Sequence, residues 1–284
     1  MKLVGNSVVY ILVAAFSGAL SFLLLPILTN YLSPSDYGNI ELYRSIIAVL
    51  QGVMIFGTNT LLFGNYYKWS SRELKIFLHN SVFLFLLIFF FLALLLISLP
   101  LLSDYVSTNL GLSSFIICIA LVTALLQSVT SLQTTIYQIV GQSINYAVFT
   151  AGFSAISFIL SFILVKYSDL GWKGPVFALF FASIPFFILT TRYFKNRGLK
   201  LLLPIDKLKM IFFLGIPLIL THISGWIVEA VDKFMITSII DSAANGNYSI
   251  SYKFGLIVLL IQVAVLRAWA SFFYKTISKK SYKD

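Results

Sequence analysis

Charge, cysteine and histidine are all scarce in this sequence of 284 residues. Charged residues make up 11% of the chain and hydrophobic residues 59%, a balance that excludes an ordinary soluble domain. The single cysteine, Cys118, has no intrachain partner for a disulfide, so we expect it to behave as a small apolar residue. With only two histidines, the chain shows no cluster of His, Cys and acidic residues at metal-ligand spacing, and no metal site or cofactor is predicted.

Long apolar runs are what the sequence does contain, and they are long enough to cross a bilayer as helices. We therefore predict an all-α membrane protein with about eight transmembrane helices. The first run is too long for the core of a signal peptide, so it is expected to remain as a span. The predicted spans are Ser7–Tyr31, Ile40–Phe63, Leu78–Leu99, Ser113–Ile136, Tyr146–Val165, Pro175–Thr191, Met210–Ile236 and Tyr248–Tyr274.

Basic residues outnumber acidic residues by 20 to 10, and they are distributed unevenly among the gaps between spans. Fourteen of the twenty lie at the termini and in alternate gaps, as in the stretches 68–75 and 192–209 and the tail 275–283. The opposite gaps hold only two lysines, together with four aspartates. The positive-inside rule therefore predicts cytoplasmic termini, and the net charge of +10 does not call for a nucleic-acid partner.

Four basic side chains lie inside the predicted spans: Arg44, Lys233, Lys253 and Arg267. A basic side chain at the bilayer centre costs about 2.5–3.5 kcal/mol on insertion scales. We expect these four residues to face a common hydrated cavity and an anionic cargo. The alternative is that Arg44, Lys253 and Arg267, which lie towards the ends of their spans, extend their charged heads to the membrane interface.

A stripe of polar residues runs along the fourth predicted span. Its members recur every three or four residues and therefore share one helix face: Thr123, Gln127, Ser131, Thr134 and Gln138. We expect Gln127 and Ser131 to lie on the wall of the cavity. Such side chains also form hydrogen bonds between helices in membrane bundles, which is the alternative interpretation of the stripe.

Three acidic residues lie near the basic ones in sequence: Glu41, Glu229 and Asp232. Glu229 precedes Lys233 by four residues, the favourable order for an ion pair along a helix. We regard the three acids as candidates for carrying a proton or a sodium ion coupled to transport. The same acids could instead pair with Arg44 and Lys233 and only ease the burial of charge.

Two short segments indicate an internal repeat. Gly38-Asn39 and Gly246-Asn247 each open a span, and each is followed by a tyrosine and a basic residue. Six predicted spans fall within one period, and same-direction repeats of this size are a transporter trait. We predict a six-helix half at residues 1–198, a basic cytoplasmic linker at 199–209, and the first two helices of a second half at 210–284.

Several segments together resemble a known family. They are Leu20–Gly38 (LSFLLLPILTNYLSPSDYG), Gly215-Ile216-Pro217-Leu218, Asp232-Lys233, Asn247–Lys253 and Ala268–Lys275. In this order they are similar to the bacterial polysaccharide repeat-unit flippases, the O-antigen and capsule exporters of the MOP superfamily. The resemblance implies twelve or more spans, so the chain is expected to correspond to the N-terminal two-thirds of such a protein. It departs from the family's pattern in having Asp-Lys where Asp-Arg is common, and in an uncharged loop between the fourth and fifth spans.

The resemblance implies a flippase that moves undecaprenyl-diphosphate-linked oligosaccharide repeat units from the inner to the outer leaflet of the bacterial cytoplasmic (inner) membrane. Basic groups in a cavity would compensate the dianionic diphosphate, and hydroxyl and amide stripes would bind the sugars. The implied partners are the lipid-linked oligosaccharide, membrane lipids, a polysaccharide polymerase and a chain-length regulator.

Three other functions are considered beside the flippase. The first is a membrane glycosyltransferase or polymerase of the same pathway, although the short outer gaps do not favour such an enzyme. The second is a drug or cation exporter of the same superfamily, for which acidic rather than basic cavity residues are expected. The third is a fragment of a flippase that is inactive or that depends on a partner chain.

Overall fold

The computed structural model describes residues 2–98, 111–196 and 205–255, and its regular structure there is entirely helical. Within the helices, the side chains at 2–7, 97, 205–207, 220, 222–223 and 226–230 are outside this description. The helices are α1 (Lys2–Tyr31), α2 (Pro34–Ile55), α3 (Thr58–Asn65), α4 (Ser71–Ser98), α5 (Ser114–Val140), α6 (Ser143–Tyr167), α7 (Lys173–Asn196), α8 (Ile205–Ile239) and α9 (residues 242–255).

Five of these helices, α1, α4, α5, α6 and α7, are long and apolar enough to cross a membrane, and the bent pair α2–α3 adds a sixth. The prediction of an all-α membrane protein is confirmed. The seventh predicted span lies within α8, whose apolar segment is Leu208–Ile219. α8 begins inside the predicted linker 199–209. Only the start of the eighth predicted span, in α9, falls within the described residues.

The start of α2 is fixed by local chemistry. Pro34 occupies the first turn, where its missing N–H is not needed. Ser33 and Asp36 form a capping box, in which the Ser33 hydroxyl accepts from the Asp36 N–H and the Asp36 carboxylate accepts from the Ser33 N–H. α2 therefore begins six residues before the predicted span, and its early turns carry Gly38 and Glu41.

A bend of 49° separates α2 from α3, where the sequence predicts one continuous span. Phe56 (φ 49°) and Gly57 (φ 69°) are both left-handed, which ends α2. The bend packs against α8: a Cβ at Gly215 would lie 2.7 Å from the Phe56 carbonyl oxygen, and a Cβ at Gly57 would lie 2.6 Å from Leu218 Cβ. At the bend, the backbone of the second predicted span therefore lies in direct contact with α8.

The two copies of the predicted repeat pack against each other at their glycines. A Cβ added to Gly38 would collide with the carbonyl oxygen of Ser242, and one added to Gly246 would collide with that of Pro34. The contact is reciprocal because Ser242 and Pro34 occupy equivalent positions, each four residues before its glycine. The Asn245 amide, which is fully buried, donates to the Gly38 carbonyl at 3.1 Å. α2 and α9 therefore cross in close backbone contact.

Candidate substrate site

Glu41 is the centre of a buried ion cluster. Its side chain is only 5% exposed, and its carboxylate binds three basic groups from three helices. Arg44 Nη1, one helical turn along α2, lies 3.0 Å from Oε1. Lys233 Nζ of α8 lies 3.2 Å from Oε2, and Lys253 Nζ of α9 lies 3.0 Å from Oε1. From the crossing of Gly38 and Gly246, Glu41 lies about one turn further along α2 and Lys253 about two turns further along α9, where their side chains meet.

Among the side chains that the structure describes, the cluster carries three positive charges and one negative charge, an excess of two positive charges. The basic side chains are 27% exposed for Arg44, 14% for Lys233 and 13% for Lys253, so water does little to compensate them. Aromatic rings add cation–π contacts: Lys253 Nζ lies 5.1 Å from the Tyr37 ring, and Lys233 Nζ lies 6.0 Å from the Tyr252 ring. The three basic groups of the cluster thus share a single carboxylate and two aromatic rings among the described side chains.

The remaining charged residues of the predicted site are placed differently. Asp232 is exposed and accepts a hydrogen bond from the Tyr248 hydroxyl at 2.8 Å, away from Glu41. The side chain of Glu229 and the whole of Arg267 lie outside the described residues. The structure thus pairs Glu41 with Arg44 and Lys233, as in the alternative interpretation of the acids, and adds Lys253 to them.

A polar hollow opens beside the cluster, within the first half of the chain. Its larger cavity has a volume of about 340 Å³ and lies among α1, α2, α5, α6 and α7. Arg44 lines it, so this side chain belongs to both the cluster and the cavity. The other polar side chains on its wall are hydroxyls and amides: Ser17, Ser21, Gln51, Gln127, Ser154 and Ser157.

A second cavity of about 240 Å³ continues the hollow. It shares Gln51, Gln127 and Phe153 with the larger cavity. Its further polar lining consists of Thr130, Ser131, Thr134, Thr150 and Ser183, and two more rings, Phe149 and Phe186, complete its wall. Gln127 lies at the junction of the two cavities, as expected for a residue of the predicted wall.

The predicted stripe on α5 divides between two environments. Gln127, Ser131 and Thr134 line the hollow, whereas Thr123 is fully buried with its hydroxyl 3.4 Å from that of Tyr43. Gln127 Nε2 donates to Ser183 Oγ at 3.3 Å, and Asn59 Nδ2 donates to Ser131 Oγ at 3.1 Å. The stripe therefore both joins helices and lines a cavity.

The common hydrated cavity predicted for all four basic residues is only partly found. Arg44, Gln127 and Ser131 line the hollow, while Lys233 and Lys253 do not line either of its two cavities. The serines of α1 and α6 were not predicted as wall residues. Their spacing could have indicated this position. Ser17 and Ser21 are four residues apart and Ser154 and Ser157 are three apart, so each pair shares one helix face. Among the described residues, no group of three or more His, Cys, Asp or Glu side chains could hold a metal ion.

Comparison with known proteins agrees with this architecture. A family model described as polysaccharide biosynthesis protein matches residues 3–270. A protein of the Lsg locus of Haemophilus influenzae is 21% identical over 285 residues, which cover 99% of this chain and 68% of the relative. No solved structure matches the chain.

Proposed function

Because the chain belongs to the polysaccharide biosynthesis protein family and is a multi-pass membrane protein, we propose that it takes part in surface polysaccharide synthesis as a flippase. Its cargo would be an oligosaccharide repeat unit linked through a diphosphate to undecaprenol. It would carry the unit from the inner to the outer leaflet of the cytoplasmic membrane, with both termini in the cytoplasm. A polymerase and a chain-length regulator would then act on the delivered unit.

The observation that carries this proposal is the position of Arg44 between a cationic cluster and a polar hollow. The cluster has an excess of two positive charges, and a diphosphate diester carries two negative charges. Charge-assisted hydrogen bonds from arginine and lysine to phosphate oxygens are about twice as strong as neutral ones. A cargo with its diphosphate at the cluster would place the adjoining sugars in or beside the hollow.

The lining of the hollow suits a sugar. Hydroxyl and amide side chains such as Gln51, Gln127 and Ser157 can both donate to and accept from sugar hydroxyls. Phe153 supplies an apolar surface to both cavities, against which a sugar ring can pack. A purely cationic or purely apolar cargo would leave these groups and the excess charge unused.

The cluster also suggests how cargo binding can be linked to movement. Glu41 of α2 in the first half holds Lys233 and Lys253 of the second half. An incoming diphosphate would compete with Glu41 for the same basic groups, which would weaken a contact between the halves. Rocking of two halves about a central site gives alternating access in transporters built from repeats. A proton or a sodium ion binding at Glu41 would compensate the carboxylate once its partners turn to the cargo.

Reconstitution tests the proposal. The purified chain is placed in liposomes with a fluorescent undecaprenyl-diphosphate-linked oligosaccharide, under an imposed proton or sodium gradient. A membrane-impermeant glycosidase then measures how much glycan reaches the outer leaflet. With the protein present, we expect the glycosidase to digest more glycan than was in the outer leaflet at the start. In protein-free liposomes, it should digest only the glycan that was in the outer leaflet at the start.

A matched variant and a product analysis separate the alternatives. Lys233→Gln with Lys253→Gln removes the excess charge but leaves the Glu41–Arg44 pair, so it should abolish movement without loss of folded protein. If the unsubstituted chain binds the lipid-linked oligosaccharide but does not move it across the bilayer, the chain would be a flippase fragment that needs a partner chain. Lengthened glycans would instead identify a polymerase or glycosyltransferase, and either result would overturn the proposal for this chain acting alone.

A further inference from the structure

A second concave surface lies on the outside of the bundle, between α4 and α7 and above α5. It is a groove of about 290 Å³. Its apolar lining comes from all three helices: Val82, Leu86, Leu125, Val129, Phe187 and Phe194. Three polar side chains complete it, namely His79, Thr191 and Lys195.

The groove is separate from the polar hollow, although both use α5 and α7. Leu125 and Val129 line the groove, and Gln127 and Ser131 line the hollow. At about 100° of rotation per residue, these two pairs lie on roughly opposite faces of α5. A ligand in the groove would therefore not occupy the site proposed for the cargo.

The groove is polar at one end and apolar along the rest of its length. His79 lies in the third turn of α4, and Lys195 lies in the last turn of α7. Leu86 lies about 10 Å further along α4 than His79, at 1.5 Å per residue. Lys195 is exposed, and Arg192 is exposed one turn before it. The mouth of the groove is thus basic, while its floor and walls are hydrocarbon.

We propose that this groove binds an anionic phospholipid, with an acyl chain along Leu86 and Leu125 and the phosphate at Lys195. The charge at the mouth selects an anionic headgroup, and the apolar walls select hydrocarbon. Basic side chains at a membrane surface attract anionic lipids, and basic pockets between transmembrane helices bind their headgroups.

Native mass spectrometry of the purified chain tests the charge at the mouth. The probes are phosphatidylglycerol and phosphatidylethanolamine at equal concentration. We expect phosphatidylglycerol to be retained in preference, and Lys195→Gln to lower its retention about fivefold, the effect of one lysine at an anionic surface. Lys166→Gln, at an exposed lysine near the C-terminus of α6, is the matched control and should leave the preference unchanged. Equal retention of both lipids by the unsubstituted chain would overturn the proposal.

A second pair of variants tests the hydrocarbon part without changing charge. Leu86→Trp fills the groove and should reduce phosphatidylglycerol retention, whereas Leu94→Trp, at an exposed leucine of the same helix outside the groove, should not. Equal retention by the two variants would contradict the placement of the acyl chain. Retention of undecaprenyl phosphate instead of phosphatidylglycerol, with the same dependence on Lys195, would overturn the assignment to a phospholipid.

Discussion

The ion cluster at Glu41 and the hollow around Gln127 are neighbours that share Arg44, yet they are built in opposite ways. The cluster gathers four charges from α2, α8 and α9 into contacts of 3.0–3.2 Å. The hollow lies among α1, α2, α5, α6 and α7, is open, and is lined by amides and hydroxyls, and most of the hydroxyls bond to their own helix. The first joins α2 to α8 and α9 through buried charge, and the second offers neutral polar groups to an open space.

The difference means that the two regions should respond differently to substitution. Changes in the cluster that leave a buried charge without a partner should alter both folding and anion binding, whereas removal of both lysines leaves a neutral Glu41–Arg44 pair and should alter anion binding alone. Changes in the hollow should alter ligand binding with little effect on folding, because its side chains already border open space. Four predictions test this division.

Glu41→Gln should have the largest effect on stability. It leaves three basic groups without their shared carboxylate, and breaking a buried ion pair by removing one partner costs about 3–5 kcal/mol. The free energy of unfolding of the purified protein in detergent measures this loss. Asp232→Asn, at an exposed acid bonded to Tyr248, is the control and should cost no more than about 1 kcal/mol. Similar losses for the two variants would show that the cluster does not stabilise the fold.

Arg44→Gln should weaken binding of both parts of the cargo, because this side chain belongs to both regions. Loss of a hydrogen bond to a charged group removes about 1.5–3 kcal/mol, which is roughly tenfold or more in affinity. Binding of undecaprenyl diphosphate and of its oligosaccharide-bearing form to the chain in nanodiscs measures the effect. The loss should be larger for the oligosaccharide-bearing form, and Lys166→Gln serves as the control. An equal loss for the two ligands would confine Arg44 to the diphosphate, and a loss for the oligosaccharide-bearing form alone would confine it to the hollow.

Gly38→Ala and Gly246→Ala should destabilise the contact that brings the cluster together. Each added Cβ meets a backbone carbonyl of the opposite helix, and forced overpacking costs typically about 1–3 kcal/mol. Because the contact is reciprocal, the two variants should lose similar amounts of unfolding free energy. Gly64→Ala in α3 is the control, since nothing lies within 4 Å of its Cβ position. A loss at only one of the two crossing glycines would contradict the reciprocal contact.

Gln127→Leu should have the smallest effect, and only on the hollow. Loss of its hydrogen bonds, each worth about 0.5–1.5 kcal/mol, should lower affinity for the oligosaccharide-bearing lipid by roughly two- to tenfold. Affinity for undecaprenyl diphosphate without sugar should not change. Gln138→Leu, on the same predicted stripe but outside both cavities, should change neither affinity. An equal effect of Gln127→Leu on both ligands would place the diphosphate, not the sugar, at Gln127.

Hydropathy was sufficient to predict the helical class and the first six spans, the second of which is the bent pair α2–α3, because continuous apolar runs have few alternatives in a membrane. The free energy of exposing charge to lipid favoured a common cavity for Arg44, Lys233 and Lys253, whereas in the structure the three meet at Glu41 and only Arg44 lines the hollow. Their shared partner was less evident: the spacing rule favours Glu229 for Lys233, while the observed acid is 192 residues away. Only the packing of α2 against α8 and α9 brings that carboxylate to both lysines.

The bend at Gly57 and the location of the hollow were not predictable. Phe56 adopts its left-handed conformation beside the close contact of α3 with α8. Because that contact joins residues far apart in sequence, the residues around Phe56 alone do not predict it. The hollow arises because α1 and α6 stand away from α2 and α5 at Ser17 and Ser154. The sequence does not distinguish a serine that joins two helices from one that lines a cavity. Ser17 and Ser154 have both roles, because their hydroxyls bond to each other and border the hollow.

The central claim is that the excess positive charge at Glu41 binds the diphosphate of the cargo. Equilibrium binding of undecaprenyl diphosphate and of uncharged undecaprenol to the chain in nanodiscs tests it most directly. We predict a clear preference for the diphosphate, which disappears in the variant with Lys233→Gln and Lys253→Gln while its neutral Glu41–Arg44 pair and its folded yield remain. Equal binding of the two lipids, or an unchanged preference in the double variant, would contradict the claim.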